Sequence, residues 1–329
     1  MEYGFWKKLK KPFFVLAPMA DVTDVAFRKI ITKYGKPDVL WTEFVSADGL
    51  CSPGRKVLIR DLEFSRKEKP IVAQLFSSKP EKMREAAALC QKLGFHGIDI
   101  NMGCPDKSIE KQGCGAGMIK TPDVARAIIR AAKEGAPKLP ISVKTRIGYN
   151  KNEIATWIPV ILSEGVAALT VHCRTRKEMS NVPARWEHIR EVTALRDQLA
   201  PDTLIIGNGD IKDVPDGRAK ALEFGADGVM IGRGIFGNPW LFAELSGKKG
   251  NPTVEEKLKV MVEHTKLYEK LLGNIKSFAI MKKHYKAYVN GFDHAKELRM
   301  RLMEAKDSKE VSKVVKKFLK DGTVALPCA

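Results

Sequence analysis

No stretch of this chain approaches the roughly 18 apolar residues that a membrane-crossing helix requires, and the opening Met-Glu-Tyr-Gly-Phe-Trp-Lys-Lys lacks an apolar run ending in small residues. A soluble, unexported, cytoplasmic protein is expected. Cysteine is sparse and unpatterned: the six residues at 51, 90, 104, 114, 173 and 328 form no C-x-x-C pair. That speaks against structural zinc or any other metal site and against a disulfide framework, and it fits a reducing compartment. A G-x-G-x-x-G turn after an early strand is missing, which argues against a resident dinucleotide. Acidic residues are in deficit, with 39 Asp plus Glu against 57 Lys plus Arg, a formal net charge of +18. Such an imbalance favours a polyanionic partner, although basic organellar and thermophilic proteins share it.

What is present is a repeating alternation. Eight short apolar, β-branched runs occur at Phe13–Ala17, Asp38–Thr42, Pro70–Phe76, Gly97–Met102, Pro140–Thr145, Ala167–His172, Thr203–Gly207 and Asp227–Ile231. Near-continuous apolar character marks parallel strands covered on both faces. Helical patterns lie between them, such as Pro80–Leu93 with Ser78 as the expected N-cap, and Thr121–Glu134 with Thr121 capping a first-turn proline. Eight β-α repeats in this length predict an α/β fold, a (β/α)8 TIM barrel, with an open doubly wound sheet as the alternative. After Gly247-Lys-Lys-Gly-Asn-Pro252 strand signals stop, and residues 250–329 carry 17 Lys plus Arg against 10 Asp plus Glu. The expected division is a catalytic barrel over 1–248 and a small basic C-terminal helical bundle over 249–329. Helices that merely cover the barrel are the alternative.

Barrel enzymes build their sites at the C-terminal strand ends, and polar residues collect there. The first strand ends Ala17-Pro-Met-Ala20, the third carries Gln74, and the fourth ends Asn101-Met-Gly-Cys-Pro105. The fifth carries Lys144 and Arg146, the sixth ends at His172, and the last two run into Gly207-Asn-Gly-Asp210 and Gly232-Arg-Gly234. Those glycines form an expected phosphate cradle, because backbone N–H groups unshielded by side chains can approach an anion closely. Lys144 in an apolar strand needs a partner, and with Gln74 and Asn101 it suits the edge of a flat heterocycle such as a flavin better than a sugar phosphate. Cys104, exposed at the mouth between Gly103 and Pro105, is the candidate nucleophile or proton donor. The other thiols are expected to be inert, Cys114 being the nearest to the chemistry.

The segment Ile98-Asp-Ile-Asn-Met-Gly-Cys-Pro105, followed by Ile109 and Gly115-Ala116, resembles the signature of the tRNA-dihydrouridine synthases. The resemblance extends through Ala17-Pro-Met-Ala-Asp-Val-Thr-Asp24, Thr42-Glu-Phe-Val-Ser46, Val143-Lys-Thr-Arg146, Val171-His-Cys-Arg-Thr-Arg176, Gly207-Asn-Gly-Asp210 and Gly232-Arg-Gly-Ile-Phe-Gly-Asn-Pro-Trp240, and is strongest to the bacterial B-type branch. It implies FMN, with Pro18 and Met19 along the ring, Gln74, Lys144 and His172 on its polar edge and tail, and Asn208, Gly209, Asp210, Gly232 and Arg233 at ribityl and phosphate. It further implies NADPH as reductant, hydride transfer to C6 of a flipped-out uridine, and Cys104 as the acid that protonates C5. Asn101 would contact the flavin or the uracil, and Arg146, Arg174 and Arg176 at the mouth the uridine or backbone phosphate, with structural salt bridges as the alternative for the arginines. The tail, with Lys282, Lys283, His284, Lys286, Arg299 and Arg301, would bind tRNA, and the protein would act as a monomer.

The loop after the sixth strand departs from the family's H-x-R-T-R-x-Q, aromatic, glycine and A-D-W pattern, placing Glu178, Ser180, Val182 and Arg185 at those positions. Two other readings remain open from the residues alone. One is a flavoenzyme acting on free pyrimidines, such as a dihydroorotate or dihydropyrimidine dehydrogenase. The other is an RNA-binding protein that kept the barrel without its chemistry.

Overall fold

The computed structural model describes residues 3–248 and 250–321; Lys249 of the linker and Cys328 lie outside them. Eight parallel strands run β1 Phe13–Leu16, β2 Leu40–Ser46, β3 Ile71–Phe76, β4 Gly97–Met102, β5 Ile141–Arg146, β6 Ala168–His172, β7 Leu204–Asn208 and β8 Gly228–Ile231. They pair in the order β1-β8-β7-β6-β5-β4-β3-β2. A parallel bridge between Val15 and Val39, with Leu16 N–H donating to Val39 O at 3.3 Å and Asp38 N–H to Phe14 O at 2.9 Å, joins β1 to the β2 segment and closes the barrel. Strands expected at Pro70 and Pro140 begin one residue later, since proline has no N–H for the ladder. The second strand runs on to Ser46 past a register shift between Trp41 and Phe44, an irregularity that interrupts the apolar pattern.

Alternation along each strand sorts the interior into two levels. Trp6, Phe13, Val15, Val39, Trp41, Val72, Ala168, Leu204, Ile206 and Met230 form one apolar cluster toward the strand starts. Trp6 comes from the short 3-10 turn Gly4–Lys8 and is buried with its ring 5.8 Å from Trp41 and 5.9 Å from Phe13. Two residues further along each strand the inward positions turn polar: Gln74, Asp99 and Asn101, Ser142 and Lys144, Thr170 and His172, and Asn208. Apolar packing thus fills one end and leaves the other for chemistry.

The helix expected at Pro80 spans Pro80–Lys92, but Ser78 does not cap it: its hydroxyl donates to Gln112 O at 2.6 Å, and Ser77 Oγ accepts from Lys79 N–H instead. Thr121 stands before Pro122–Gly135 without a side-chain capping bond. In both helices the first-turn proline already removes one donor that a cap would satisfy.

The chain forms two compact units, residues 3–20 with 37–232, and residues 21–36 with 233–321 among those described. Their limits differ from the boundary expected at 248. The second unit contains helices Val254–Leu272, Met281–Tyr288, Ala295–Glu304 and Ser308–Asp321, together with the first crossover helix, Val25–Tyr34. Val25, Ala26 and Ile30 of that helix share a core with Met261, Tyr268, Tyr285, Leu298, Val311 and Phe318. Thr253 and Glu256 close a reciprocal capping box that starts the first of the C-terminal helices.

The barrel seam offers a direct test. Asp38 Oδ2 accepts the Phe14 N–H at 2.7 Å in a place where Phe14 is fully buried. Asp38→Ala leaves that donor unpaired, so urea unfolding should show a loss of about 1–3 kcal/mol; an unchanged midpoint would mean the seam does not depend on this bond.

Candidate functional site

The end of β4 turns sharply. Asn101 Oδ1 accepts from Gly103 N–H at 3.1 Å and from Cys104 N–H at 3.0 Å, an Asx-type turn that sets the thiol's starting point. Gly103 lies so close to β5 that a Cβ there would sit 3.1 Å from the Thr145 carbonyl carbon. Arg146 Nε donates to Gly103 O at 2.8 Å, and Ala116 N–H to Cys104 O at 2.9 Å. The Cys104 backbone is therefore fixed on both sides while its side chain stays half-buried. Burial pushes the Cys104 thiol up and the Asp106 carboxylate adds to the rise, while an Asp106 backbone N–H and the cations Lys144 and Arg146 oppose it. The thiol is held as S–H at neutral pH, the state a proton donor needs.

Behind this turn lies a polar row. Gln74 Nε2 donates to Asp99 Oδ2 at 2.7 Å, Ser142 Oγ donates to Asp99 Oδ1 at 2.6 Å, and Asn101 Nδ2 donates to Gln74 Oε1 at 3.3 Å. Burial raises the Asp99 carboxyl to about 6, against the hydrogen bonds of Gln74 and Ser142 and the charge of Lys144. Lys144, paired across the ladder with Asn101 and Thr170, has no hydrogen-bond or ion-pair partner among the described residues. Burial lowers its ammonium to about 8, with Arg146 adding to the fall and Asp99 and Cys104 opposing it. Thr170 Oγ1 is likewise buried without a partner. A half-buried cation with no anion bonded to it among the described residues suits an anionic or carbonyl-rich ligand.

The loop beyond β6 is strapped down by arginines. Arg146 donates to the carbonyls of Thr175 and Met179, each at 3.0 Å, besides Gly103. Arg174 donates to Val182 O at 2.6 Å and pairs with Asp210, whose Oδ2 also accepts the Ala184 N–H at 2.9 Å. Its Nη1 lies 3.0 Å from His172 Nε2; since a guanidinium only donates, that nitrogen accepts and Nδ1 carries the proton. Arg176 pairs with Glu110 and lines a cavity of about 610 Å³ with Pro105, Asp106, Lys107, Ser108 and Met179. Of the three arginines expected at substrate, Arg146 and Arg174 are thus buried and engaged with the loop, and Arg176 faces open space.

The glycines divide in the same way. Gly209 has φ +126°, and a Cβ there would meet Ala184 Cβ at 2.7 Å and the His172 ring at 3.1 Å; at Gly207 it would overlap the Trp186 ring. Packing explains both, and Trp186 Nε1–H seals the contact by donating to Gly209 O at 2.7 Å. Gly232 is different: a Cβ would meet only Ala17 Cβ at 3.7 Å and Met19 Sδ at 3.8 Å. Protein packing does not require glycine there, as expected where a ligand approaches the backbone. Half-buried Pro18 and Met19 stand beside it, while Asn208 Nδ2 donates to Met230 O at 2.8 Å and ties β7 to β8. Arg233 opens the 3-10 turn Arg233–Ile235 and falls in the second unit.

A family profile described as Dihydrouridine synthase (Dus) matches residues 15–323. The chain belongs to the dihydrouridine synthase family. A "Probable tRNA-dihydrouridine synthase" of Staphylococcus aureus (strain MRSA252) is 43% identical over 321 residues, 97% of this chain and 96% of that protein. The "Probable tRNA-dihydrouridine synthase 2" of Bacillus subtilis (strain 168) is 42% identical over 320 residues, 97% of each. A solved structure described as a variant of NCR from Zymomonas mobilis is 13% identical, covering 76% of this chain and 93% of that one at a TM-score of 0.48, a likeness too distant to bear on the chemistry.

Within the dihydrouridine synthase pattern, the departures after β6 have a physical account. Glu178 and Arg185 form a two-bond ion pair at 2.7 and 3.0 Å, and the Arg185 hydrogen bonds hold the Glu178 carboxyl down at about 2. The two unusual residues thus answer one another. In the second unit, Lys283 and Lys286 are exposed, Arg299 donates to Val289 O and Arg301 pairs with Glu304. His284 is no RNA contact: it is fully buried against Phe27 and His264 with both ring nitrogens unpaired, and burial drives its pKa to about 3. Helical periodicity placed it on the same side as Met281 and Tyr288, which the run of neighbouring lysines masked.

Residues outside the sequence-based set also belong to the site: Asp99 and Ser142 behind Gln74, Glu110 opposite Arg176, and Trp186 beneath Gly207. Asp99 was within reach, because it shares inward parity with Asn101. Cys90, Cys114 and Cys173 are buried, and burial raises them to about 12, 11 and 12. Iodoacetamide at pH 7.5 should therefore label Cys104 ahead of these three, at a rate that keeps climbing above pH 9 as thiolate forms. Peptide mass mapping reads the order, and prior labelling of Cys90, Cys114 or Cys173 would contradict it.

Proposed function

We propose that this protein reduces the 5,6 double bond of uridines in tRNA to dihydrouridine, with FMN as resident cofactor and NADPH as reductant, and that Cys104 is the acid. The observation that carries the reading is the half-buried Cys104 thiol, its backbone fixed at the end of β4, on the same barrel level as Lys144, which has no bonded partner among the described residues. Names of the two curated relatives supply the substrate.

FMN, when bound and reduced by NADPH, supplies the hydride delivered to uracil C6. The residues present fit that group: Lys144 with Gln74 and His172 would hold its polar edge, Pro18 and Met19 its ring, and Asn208, Gly209, Asp210 and Gly232, with the adjoining Arg233, its ribityl and phosphate. Cys104 Sγ–H gives its proton to C5, so the double bond gains one hydride and one proton, and the thiolate regains its proton from solvent. Asn101 serves by holding the Cys104 turn and bordering the pyrimidine. Arg176 is the arginine best placed for RNA, whereas Arg146 and Arg174 keep the loop around it in shape. The target base must leave its stack to reach the thiol. The basic second unit supplies phosphate contacts, and the protein acts as a monomer in the cytoplasm.

The test is to map dihydrouridine in tRNA from cells with and without the gene, and again with Cys104→Ala. Loss of the modification at defined positions is expected on deletion. The alanine variant should stay yellow and lose at least about 100-fold in turnover, the scale of a missing general acid. Full turnover in that variant overturns the role of Cys104; no change in dihydrouridine on deletion overturns the function.

Lys144 adds a pH signature. Its ammonium in the ligand-free protein loses its proton above about 8, so FMN affinity should fall above that pH. The decline is up to about tenfold per unit until the ligand-bound pKa is reached. Lys144→Ala should bind more weakly and show no such decline in fluorescence titrations. Affinity for tRNA should fall linearly in log–log form with salt as counterions are released, and a salt-independent value would remove the phosphate contacts from the account.

A further inference from the structure

The polar row behind Cys104 has a direction. A carboxylate only accepts, so Asp99, facing Gln74 Nε2 at 2.7 Å, fixes that amide with its nitrogen inward and its oxygen toward Asn101. Gln74 Oε1 can then receive only the Asn101 nitrogen, at 3.3 Å. That leaves Asn101 Oδ1 for the N–H groups of Gly103 and Cys104. Asp99 and Gln74 are fully buried and Asn101 is 5% exposed, so solvent is poorly placed to replace a wrongly turned amide. Reversing Asn101 would set its NH2 against two backbone donors and leave both unpaired, and reversing Gln74 would set its oxygen against the Asp99 carboxylate and its NH2 against that of Asn101, costs that the turn can escape only by moving.

We propose that Asp99 is a positioning residue for Cys104: acting through Gln74 and Asn101, it dictates which way two buried amides face and so holds the turn that carries the thiol. The proposal rests on Cys104 being the proton donor. Ser142 completes the device. Its hydroxyl donates to Asp99 Oδ1 at 2.6 Å and lies 3.3 Å from Ile98 O. A hydroxyl can turn to accept, so an asparagine at this position could direct its nitrogen at Ser142 and keep its oxygen on Gln74. A carboxamide should therefore serve where alanine does not, which separates orientation from charge.

The experiment reads two quantities in the FMN-loaded protein, the alkylation rate of Cys104 by peptide mapping and the kcat and KM for tRNA. Asp99→Ala should alter the alkylation rate at least about threefold and lower kcat about tenfold with KM held within about twofold, the split expected when geometry at the reacting bond is lost. Asp99→Asn should recover most of both. The proposal is overturned if Asp99→Ala matches the parent in alkylation and kcat, or if Asp99→Asn is as impaired as alanine.

Should Asp99→Ala fail to fold, Asn101→Asp provides the second arm. It places a carboxylate oxygen against Gln74 Oε1 and should disturb alkylation. Adding Asp99→Asn reverses the whole row: the introduced carboxamide donates to Gln74, Gln74 donates to the introduced carboxylate, and a carboxylate oxygen is still left for the two backbone N–H groups. The double variant should bring the alkylation rate back to within about twofold, as coupled neighbours do. No recovery in it sinks the proposal. Full turnover of Cys104→Ala would instead sink the reading beneath it, and the two failures are told apart because alkylation cannot be read without the thiol while the Asp99 effect on kcat can.

Discussion

A single side-chain oxygen, Asn101 Oδ1, receives two successive backbone N–H groups and thereby decides where the Cys104 sulfur begins. Everything around it serves to keep that geometry from relaxing. β5 packs tightly on Gly103, Arg146 grips its carbonyl, and Ala116 holds the carbonyl of Cys104. A thiol on an ordinary mobile loop would pay conformational entropy each time it met a substrate. Here that ordering is complete in the folded chain, which is the sense in which a site is preorganised.

Electrostatics follow from the same closure. An unpartnered ammonium, a carboxyl and an acceptor-rich pair of amides share the polar level of one barrel, and burial moves each ionisable group toward its neutral form: Asp99 up to about 6, Lys144 down to about 8, Cys104 upward. The shifts of Asp99 and Lys144 are moderated by their attraction for one another. Two groups with ordinary values far outside the physiological range are thereby drawn toward it, a pattern typical of chemical sites, although structural networks also produce it.

Much of this was legible in the residues. Continuous apolar runs marked the strands, and the inward parity of Gln74, Asn101, Lys144 and His172 gathered them at one strand end, because period-two alternation is local and survives folding. What the runs could not convey was partnership. Whether Arg146 and Arg174 face a ligand or a loop depends on acceptors far away in the chain, among them the Gly103 carbonyl 43 residues from Arg146 and the Asp210 carboxylate 36 residues from Arg174. The glycines of the expected phosphate cradle likewise read alike in sequence, yet Gly207 and Gly209 answer to Trp186 and Ala184, while Gly232 leaves space unclaimed. The domain limits were obscured for a related reason: helix Val25–Tyr34 follows the first strand in the chain, and its apolar stripe finds its core among the C-terminal helices.

The altered loop after β6 shows how such a site tolerates change. A glutamate placed alone at 178 would lose the cation bonded to both of its oxygens, and an arginine alone at 185 would lose its two-bond carboxylate partner. Together they form a planar two-bond pair, and Glu178 Oε2 accepts the Thr175 N–H at 2.8 Å as well. Bidentate geometry fixes direction as well as distance, so the pair closes the loop from Thr175 to Arg185 as a unit. Within that closure Arg146 and Arg174 still reach the carbonyls of Met179 and Val182, because both bonds are made to backbone and do not depend on which side chains the loop carries. Side-chain identity there can drift while the frame around Arg176 persists.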